Sequence, residues 1–542
     1  MKRVPNETKG QYFERFALAY LRYDPLQLEQ YEKVQSFTDW ARENDWDGCD
    51  TGIDLVAKIR SEEGFAAIQC KFYDAAYRIR KADIDSFIAA SGKAPFTRRI
   101  VIDSTESAWS ENAETMIRGQ DIPVIRIGLS DIQQSPIYWE TFAANGKVLL
   151  KDKKKLHPHQ RDALHCVRVG LTEADRGKLI MACGTGKTFT SLKIAEDLMG
   201  KGKFVLFLIP SLALMSQAIR EWTTDTEIGL RSFAVCSDTQ VGKRRKRSDD
   251  VAEIDVFDLA FPATTDAAKL AEHANNVVAD KMTVVFATYQ SIQVVADAQK
   301  KYGFPTFDLI ICDEAHRTTG ATLVGEDESH FVKVHSNDVI CAKKRLYMTA
   351  TPRIFGDNAK SRAHEENAAI ASMDDEKLFG KTLFYRGFSW AVQNNLLTDY
   401  KVIVLAMDEE LVSSAVQKRL SDSQSGLVLD DATKIIGCYK ALTKQDMQAD
   451  VNADPYPMHR ALAFCKTIES SKLVRDEFSA VVQEYLDYIS KENTANKPLL
   501  KCEIEHVDGR LNTKDRGALL DWLRADSGEE CLSYFDQCAL FV

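Results

Sequence analysis

The chain has 542 residues, enough for three or four domains that each bury their own core. Hydrophobic residues make up 45% and charged ones 28%, no apolar run is long enough to span a bilayer, and no apolar segment follows the polar start, so a membrane protein and a visible signal peptide are both excluded. A net charge of −10 gives no global support to nucleic-acid binding, which must then come from local basic surface. Twelve cysteines, none in a Cys-x-x-Cys pair, argue against structural zinc or a disulfide framework and suit a reducing, cytoplasmic setting.

Residues 9–22 predict an amphipathic helix with apolar positions 13, 16, 17, 20 and 21, and Glu14 beside that face. Ile53–Ile59 and Phe65–Phe72 read as two strands joined by a Ser61–Gly64 hairpin. Asp54 begins the first, while Gln69 and Lys71, two apart, share a face of the second. An acidic group, an amide oxygen and an ammonium can converge there. That set suits a divalent metal with an activated water attacking a phosphodiester: Asp54 as ligand, Gln69 and the Cys70 carbonyl completing the protein side, Lys71 orienting the water. A solvated hairpin in a recognition domain is the alternative. The set Gly52-Ile-Asp-Leu-Val56 with Gln69-Cys-Lys71 resembles the Mrr-type branch of the restriction-endonuclease-like fold. This resemblance implies catalysis by Asp54, Gln69 and Lys71 with Glu14 in support, and metal contacts from Asp54 and Gln69. Strand-like pieces at 99–102 and 124–127, around a helix at 108–118, complete a small α/β domain over residues 1–150. Lys151–Lys155 reads as a solvated linker.

Met181-Ala-Cys-Gly-Thr-Gly-Lys-Thr188 follows an apolar strand and opens a helix. Glycines at 184 and 186 let the backbone approach phosphate oxygens, and the helix N-terminus faces their charge. Lys187 would reach the β/γ-phosphates and Thr188 would hold Mg²⁺; Gly184, Thr185 and Gly186 form the cradle. Gln160, some 25 residues earlier, is placed to bond adenine through its amide. Lys203–Pro210 and Thr283–Ser291 read as buried parallel strands whose C-terminal ends form a ligand-binding edge. The Lys243–Arg247 basic cluster, followed by Asp249 and Asp250, reads equally as a phosphate contact or a solvated loop. In Phe307–His316 a strand delivers Asp313 to Mg²⁺, Glu314 positions and deprotonates water, and His316 senses the γ-phosphate side. Leu346–Pro352 ends in Thr349 and Thr351.

The glycine loop, Asp-Glu-Ala-His box and Thr-Ala-Thr, in this order, resemble a superfamily 2 helicase motor over residues 156–355. By that resemblance Pro210–Leu212 and Thr288–Ser291 line a DNA path, and the two threonines relay nucleotide state to it. The expected fold class is α/β: the nuclease-like domain, a RecA-like parallel-sheet domain at 151–375, and a partial second RecA-like domain at 376–542. That last part includes a helix at Phe388–Val392 and strands at Lys401–Leu405, Arg460–Thr467 and Cys502–Gly509. It stops before the fifth and sixth motifs, and the arginine that would stabilise transferred charge is not supplied. The whole is similar to the N-terminal part of single-polypeptide Type ISP restriction-modification enzymes, C-terminally truncated. This resemblance implies ATP and Mg²⁺ as cofactors, duplex DNA as partner, and methyltransferase and target-recognition parts outside this chain. Three readings stay open: a translocating ATPase with nuclease, a remnant that binds ATP and DNA with little turnover, and a motor whose N-terminal domain only grips DNA.

Overall fold

The computed structural model describes residues 6–47, 52–105, 107, 109–118, 120–236, 259–274, 278–323, 332–356, 368–400, 407–421, 427–444, 458, 460–465, 467–492, 501–508, 519–520, 522–523 and 537–541. The Lys243–Arg247 cluster, the expected Lys401–Leu405 strand and Gly509-Arg510 lie outside them.

In the N-terminal part, α1 (Asn6–Tyr23) and α2 (Pro25–Gln30) precede β1 (Tyr31–Ser36), α3 (Phe37–Glu43), β2 (Leu55–Ile59) and β3 (Phe65–Lys71). There follow α4 (Lys81–Ala90), β4 (Phe96–Asp103), α5 (Glu111–Ile117), β5 (Val124–Ile127), α6 (Leu129–Gln134) and α7 (Trp139–Asn145). The Asp24 carboxylate accepts from the N–H groups of Leu26 and Gln27, and Pro25 starts α2 where no helical donor is needed. The five strands pair in chain order, antiparallel through β3 and parallel from β3 to β5. The apolar stripe of α1, with Phe13, Ala17, Tyr20 and Leu21, covers one face; Trp40, Ile84, Phe87 and Trp109 fill the other.

The next domain runs α8 (Pro158–Glu173), β6 (Arg176–Met181), α9 (Lys187–Leu198), β7 (Phe204–Ile209), α10 (Leu212–Asp225), β8 (Gly229–Val235), β9 (Ala263–Thr264), α11 (Ala267–Ala274), β10 (Lys281–Thr288) and α12 (Ile292–Tyr302). It continues with β11 (Leu309–Cys312), β12 (Gly320–Leu323), β13 (Arg345–Thr349), β14 (Ala368–Ala371) and β15 (Lys381–Arg386). Eight strands form one parallel sheet in the order β15-β6-β13-β11-β7-β10-β8-β9, while β12 and β14 make a separate ribbon. Every residue of β7 is buried, as a strand covered on both faces requires.

One sequence expectation needs correction here. Residues 376–399 do not open a second domain, because β15 pairs with β6, the strand that leads into the phosphate loop, and the compact unit extends to Asp399. The cause is packing: Gly170 and Gly177 lack side chains where the Leu383 side chain sits, and a Cβ at either would collide with it. The lysine run at 151–155 is exposed, as expected, and two of its side chains also find partners on the sheet domain. Lys154 reaches Glu221 at 2.6 Å and Asp225 at 3.4 Å, and Lys153 donates to the Thr226 carbonyl at 2.5 Å.

The first two domains interlock. Leu26 of α2 belongs to the hydrophobic core of the parallel-sheet domain, while Ala260 joins the core beneath α1. Gln27 Nε2 donates to the Ala260 carbonyl at 3.2 Å, and Arg220 of α10 pairs with Asp131 at 2.8 Å. The buried Glu29 carboxylate accepts from the N–H and hydroxyl of Ser232 on β8; burial pushes its pKa up to about 7.

A second compact unit begins at Tyr400. Its described helices are Glu409–Ala415, Gln417–Leu420, Leu429–Leu442 and Ile468–Glu492. Its parallel strands β16 (Arg460–Leu462), β17 (Lys501–Glu505) and β18 (Gln537–Phe541) pair in the order β16-β18-β17. Ile435, Tyr439, Phe478, Val482 and Tyr485 form its core. The strands expected at Arg460–Thr467 and Cys502–Gly509 are present in shorter form, as β16 and β17, with the Ile468–Glu492 helix between them. Among the described residues, no helix is long and apolar enough to cross a membrane.

Candidate functional site

The phosphate loop joins β6 to α9. Gly184 and Gly186 stand at φ 78° and 82°, a conformation that side chains other than glycine's rarely tolerate. A Cβ on Gly186 would also collide with Gln160 Nε2, and one on Gly184 would lie 3.0 Å from Leu397 Cδ2. The cradle therefore fits a close anionic ligand: it is bare backbone ending in the N-terminus of α9, whose cap makes no side-chain hydrogen bond. Lys187 Nζ folds onto the loop, 3.4 Å from the Met181 carbonyl. Thr185 Oγ1 braces the turn by donating to the Ala182 carbonyl at 2.7 Å, and Thr188 occupies the next position on α9.

Gln160, the expected adenine contact, lies against the phosphate loop. Its Oε1 accepts the His157 N–H at 2.9 Å, and its Nε2 donates to the carbonyls of Thr185 and Gly186 at 3.3 and 3.5 Å. Both ends of the amide are thus engaged beneath the loop. His159 Nε2 joins the Thr185 carbonyl at 3.0 Å, and the His159 ring lies 5.7 Å from that of Trp390. Sequence reasoning missed this flank. Arg386 stacks over Trp390 at 5.1 Å, and the Arg386 carbonyl accepts the Ala182 N–H at 3.0 Å. No motif signals it; only the pairing of β15 with β6 brings it there.

In the sheet order, β13 separates β6 from β11, so Lys187 and Asp313 emerge two strands apart at one edge. Burial, and then the neighbouring Glu314, push the Asp313 carboxyl up to about 6, while the Lys187 ammonium draws it down. A desolvated carboxylate with a lysine nearby is a fitting oxygen ligand for a hard cation such as Mg²⁺, with the Thr188 hydroxyl as the second protein group. Glu314 adopts a left-handed backbone (φ 46°), uncommon for a non-glycine residue, which turns its carboxylate toward His316. His316 Nδ1 lies 3.2 Å from Glu314 Oε2 and 3.0 Å from Thr349 Oγ1; Thr349 Oγ1 also accepts the Thr351 N–H at 3.1 Å. Burial holds the His316 pKa below its usual value despite Glu314. The imidazole therefore favours its neutral form, with Nδ1 within hydrogen-bond reach of both neighbours.

The expected DNA-facing stretches are mostly internal. Thr288 Oγ1 and Ser291 Oγ bond each other at 2.7 Å and Tyr289 is buried, leaving Gln290 exposed. Tyr289 donates its hydroxyl to the Asp313 carbonyl at 2.8 Å, tying this segment to the box. Ser211 caps α10 through its hydroxyl.

In the nuclease-like domain, Asp54 Oδ2 accepts the Cys70 N–H at 2.6 Å, which seats the carboxylate between Gln69 and Lys71 on β3. Gln69 Nε2 donates to the Gly52 carbonyl at 2.9 Å, whereas the buried Oε1 has no hydrogen-bond partner. Phe72 packs on Phe13 with ring centroids 5.5 Å apart, pinning α1 beside the end of β3. Glu14 accordingly joins Asp54 in raising the Cys70 thiol pKa, second to burial, while Lys71 opposes them. All four residues share one neighbourhood. An orphaned amide oxygen beside a carboxylate fits a cation or its bound water. Among the described residues, no group of three His, Cys, Asp or Glu could hold a metal, so such a centre would depend on this mixed donor set.

Residues 22–148 match the family described as restriction endonuclease, and residues 153–354 match the type III restriction enzyme res subunit. The chain joins an Mrr-like nuclease domain to a superfamily 2 helicase domain. Its fold is similar to the ATP-dependent Type ISP restriction-modification enzyme LlaBIII bound to DNA, at 36% identity and a TM-score of 0.78, over 99% of this chain and 33% of that one. It is also similar to a nuclease-deletion mutant of the Type ISP enzyme LlaGI in complex with a DNA substrate mimic, at 34% identity and a TM-score of 0.46, over 71% of this chain and 25% of that one. The chain thus spans about a third of the length of LlaBIII. No curated protein matches it.

Proposed function

We propose that this chain is the cutting and translocating part of a restriction system: ATP turnover in the helicase domain drives movement on duplex DNA, and the nuclease domain cleaves it with Mg²⁺. The observation that carries this reading is the meeting, at one edge of the parallel sheet, of the bare phosphate loop after β6 with Asp313 after β11, two strands away, next to the linked Glu314, His316 and Thr349. Gly184, Thr185, Gly186 and Lys187 hold the phosphates; Thr188 and Asp313 would hold Mg²⁺, which when bound would supply positive charge against the phosphates. Glu314 accepts a proton from the attacking water, and the Glu314–His316–Thr349 chain reports phosphate occupancy to Thr351. In the nuclease domain Asp54 and Gln69 Oε1 hold the cation, Lys71 orients water, and Glu14 supports from α1.

Target choice and methylation would reside in methyltransferase and target-recognition domains or subunits outside this chain, consistent with its span of a third of LlaBIII. The domain division offered is nuclease at 1–150, first RecA-like domain from 151 and partial second RecA-like domain toward 542, with the second division moved to 399/400 by the pairing of β15.

The test is ATP turnover with and without duplex DNA. Turnover should rise with DNA and vanish in Lys187→Ala, whose melting temperature stays close to the parent's; turnover undiminished in that variant would refute the site. Nicking of DNA with Mg²⁺ should disappear in Lys71→Ala while DNA-stimulated turnover persists, separating a nuclease from a domain that only grips.

A further inference from the structure

The segment that follows the nuclease lysine is built as a stiff platform. The Lys71 carbonyl accepts the Ser104 N–H at 3.0 Å, and Ser104 Oγ both accepts the Tyr73 N–H at 2.8 Å and donates to the Tyr73 carbonyl at 2.7 Å. Tyr73 and Tyr77 stack with ring centroids 4.3 Å apart. Their hydroxyls both donate to the Asp83 carboxylate, at 3.3 and 3.0 Å, and the same carboxylate takes the Arg80 N–H at 2.7 Å to cap α4. Ile79, fully buried, anchors the far end, where its carbonyl accepts the Ser110 N–H. A connection held at so many points is preorganised, and what it presents outward is charge: Arg78, Arg80 and Lys81 are exposed, with the Arg80 guanidinium over Tyr77 at 5.9 Å. From Lys71 to Lys81 there are four cations and one acid, Asp74, in a chain whose net charge is −10. Asp83 is turned inward onto the tyrosines, and the exposed Asp85 stands one turn further along α4.

We propose that residues 73–81 form a backbone clamp of the nuclease domain, in which Arg78, Arg80 and Lys81 hold phosphates of the DNA strand next to the one placed against Asp54 and Lys71. This rests on the nuclease reading for its position, not for its chemistry. Phosphate contacts fix register without reading sequence, as expected of a domain whose target is chosen elsewhere. Each neutralised phosphate contributes about 0.9 to the salt slope of binding. Asp83 and the two tyrosines act as positioning groups.

Two measurements test it on the full chain. Amine- and arginine-reactive footprinting, read by mass spectrometry with and without duplex DNA, should show Lys81, Arg78 and Arg80 protected, equally in Lys71→Ala. In nicking assays the Arg78→Gln/Arg80→Gln/Lys81→Gln variant should show a KM for DNA raised about tenfold, kcat little changed, and a salt slope lower by about 2 to 3. If the triple variant does not fold, Lys81→Gln alone should lower the slope by about 1. Protection without any nicking by the parent would leave the clamp standing and remove the nuclease reading. Nicking with unchanged KM and slope, and no protection of these residues, would overturn the clamp.

Discussion

At the scale of single residues, the proposed ATP site turns on a carboxyl that its surroundings desolvate. Asp313 is pushed up to about 6 chiefly by burial, so between roughly pH 4 and 6 the folded protein retains a proton that the unfolded chain gives up. Stability from this group is therefore present at low pH and lost as pH rises through 6. Asp313→Asn should raise the unfolding free energy at pH 8 by up to roughly 3 kcal/mol, a gain that about halves by pH 5, while Mg²⁺-dependent turnover collapses. Melting curves across pH check the first part; a gain independent of pH would show that desolvation is not the cause. Glu314 illustrates a second device, a non-glycine residue at φ 46° beside the reacting groups. That conformation is unfavourable by on the order of 1 kcal/mol and is held by the Arg317 N–H on the Glu314 carbonyl and by the His316 contact.

Among elements, α9 shows how far local sequence carries. Its start at Lys187, the glycines before it and the apolar strand ahead were all legible, because each follows from backbone freedom and side-chain periodicity within a dozen residues. The convergence of Asp54, Gln69 and Lys71 was legible for the same reason, a hairpin with period two. What the sequence hid are long-range choices. The engagement of both ends of the Gln160 amide under the loop depends on α8 docking against α9, and the placement of Arg386, Trp390 and Leu397 around the loop depends on β15 adding to the edge of a distant strand. A helix at Phe388–Val392 was expected and one at Phe388–Gln393 is present, but its neighbours were not readable from its own residues. Gly186→Ala should lower stability by about 1–3 kcal/mol through both the left-handed φ and the collision with Gln160. Adding Gln160→Ala should recover only the steric share. Thermal unfolding of the single and double variants separates the two; full recovery would mean that the backbone conformation contributes nothing.

For the molecule as a whole, the contact between nuclease and helicase domains is more than a linker with two bodies attached. Arg220 is largely buried and its pairing with Asp131 crosses the junction at 2.8 Å. Asp131→Ala removes one carboxylate from that guanidinium, which keeps Tyr20, Asp24 and the residue 131 carbonyl beside it, at a cost of about 1–3 kcal/mol, so α2 and β8 should exchange amide hydrogens faster while the strands around the phosphate loop keep their protection. Unchanged exchange in α2 would show that apolar packing alone holds the domains. Leu26 buried in one core and Ala260 in the other carry a further implication. Each half stores a piece of its neighbour, so severing the polypeptide near residue 150 would open two hydrophobic wounds rather than release two healthy proteins.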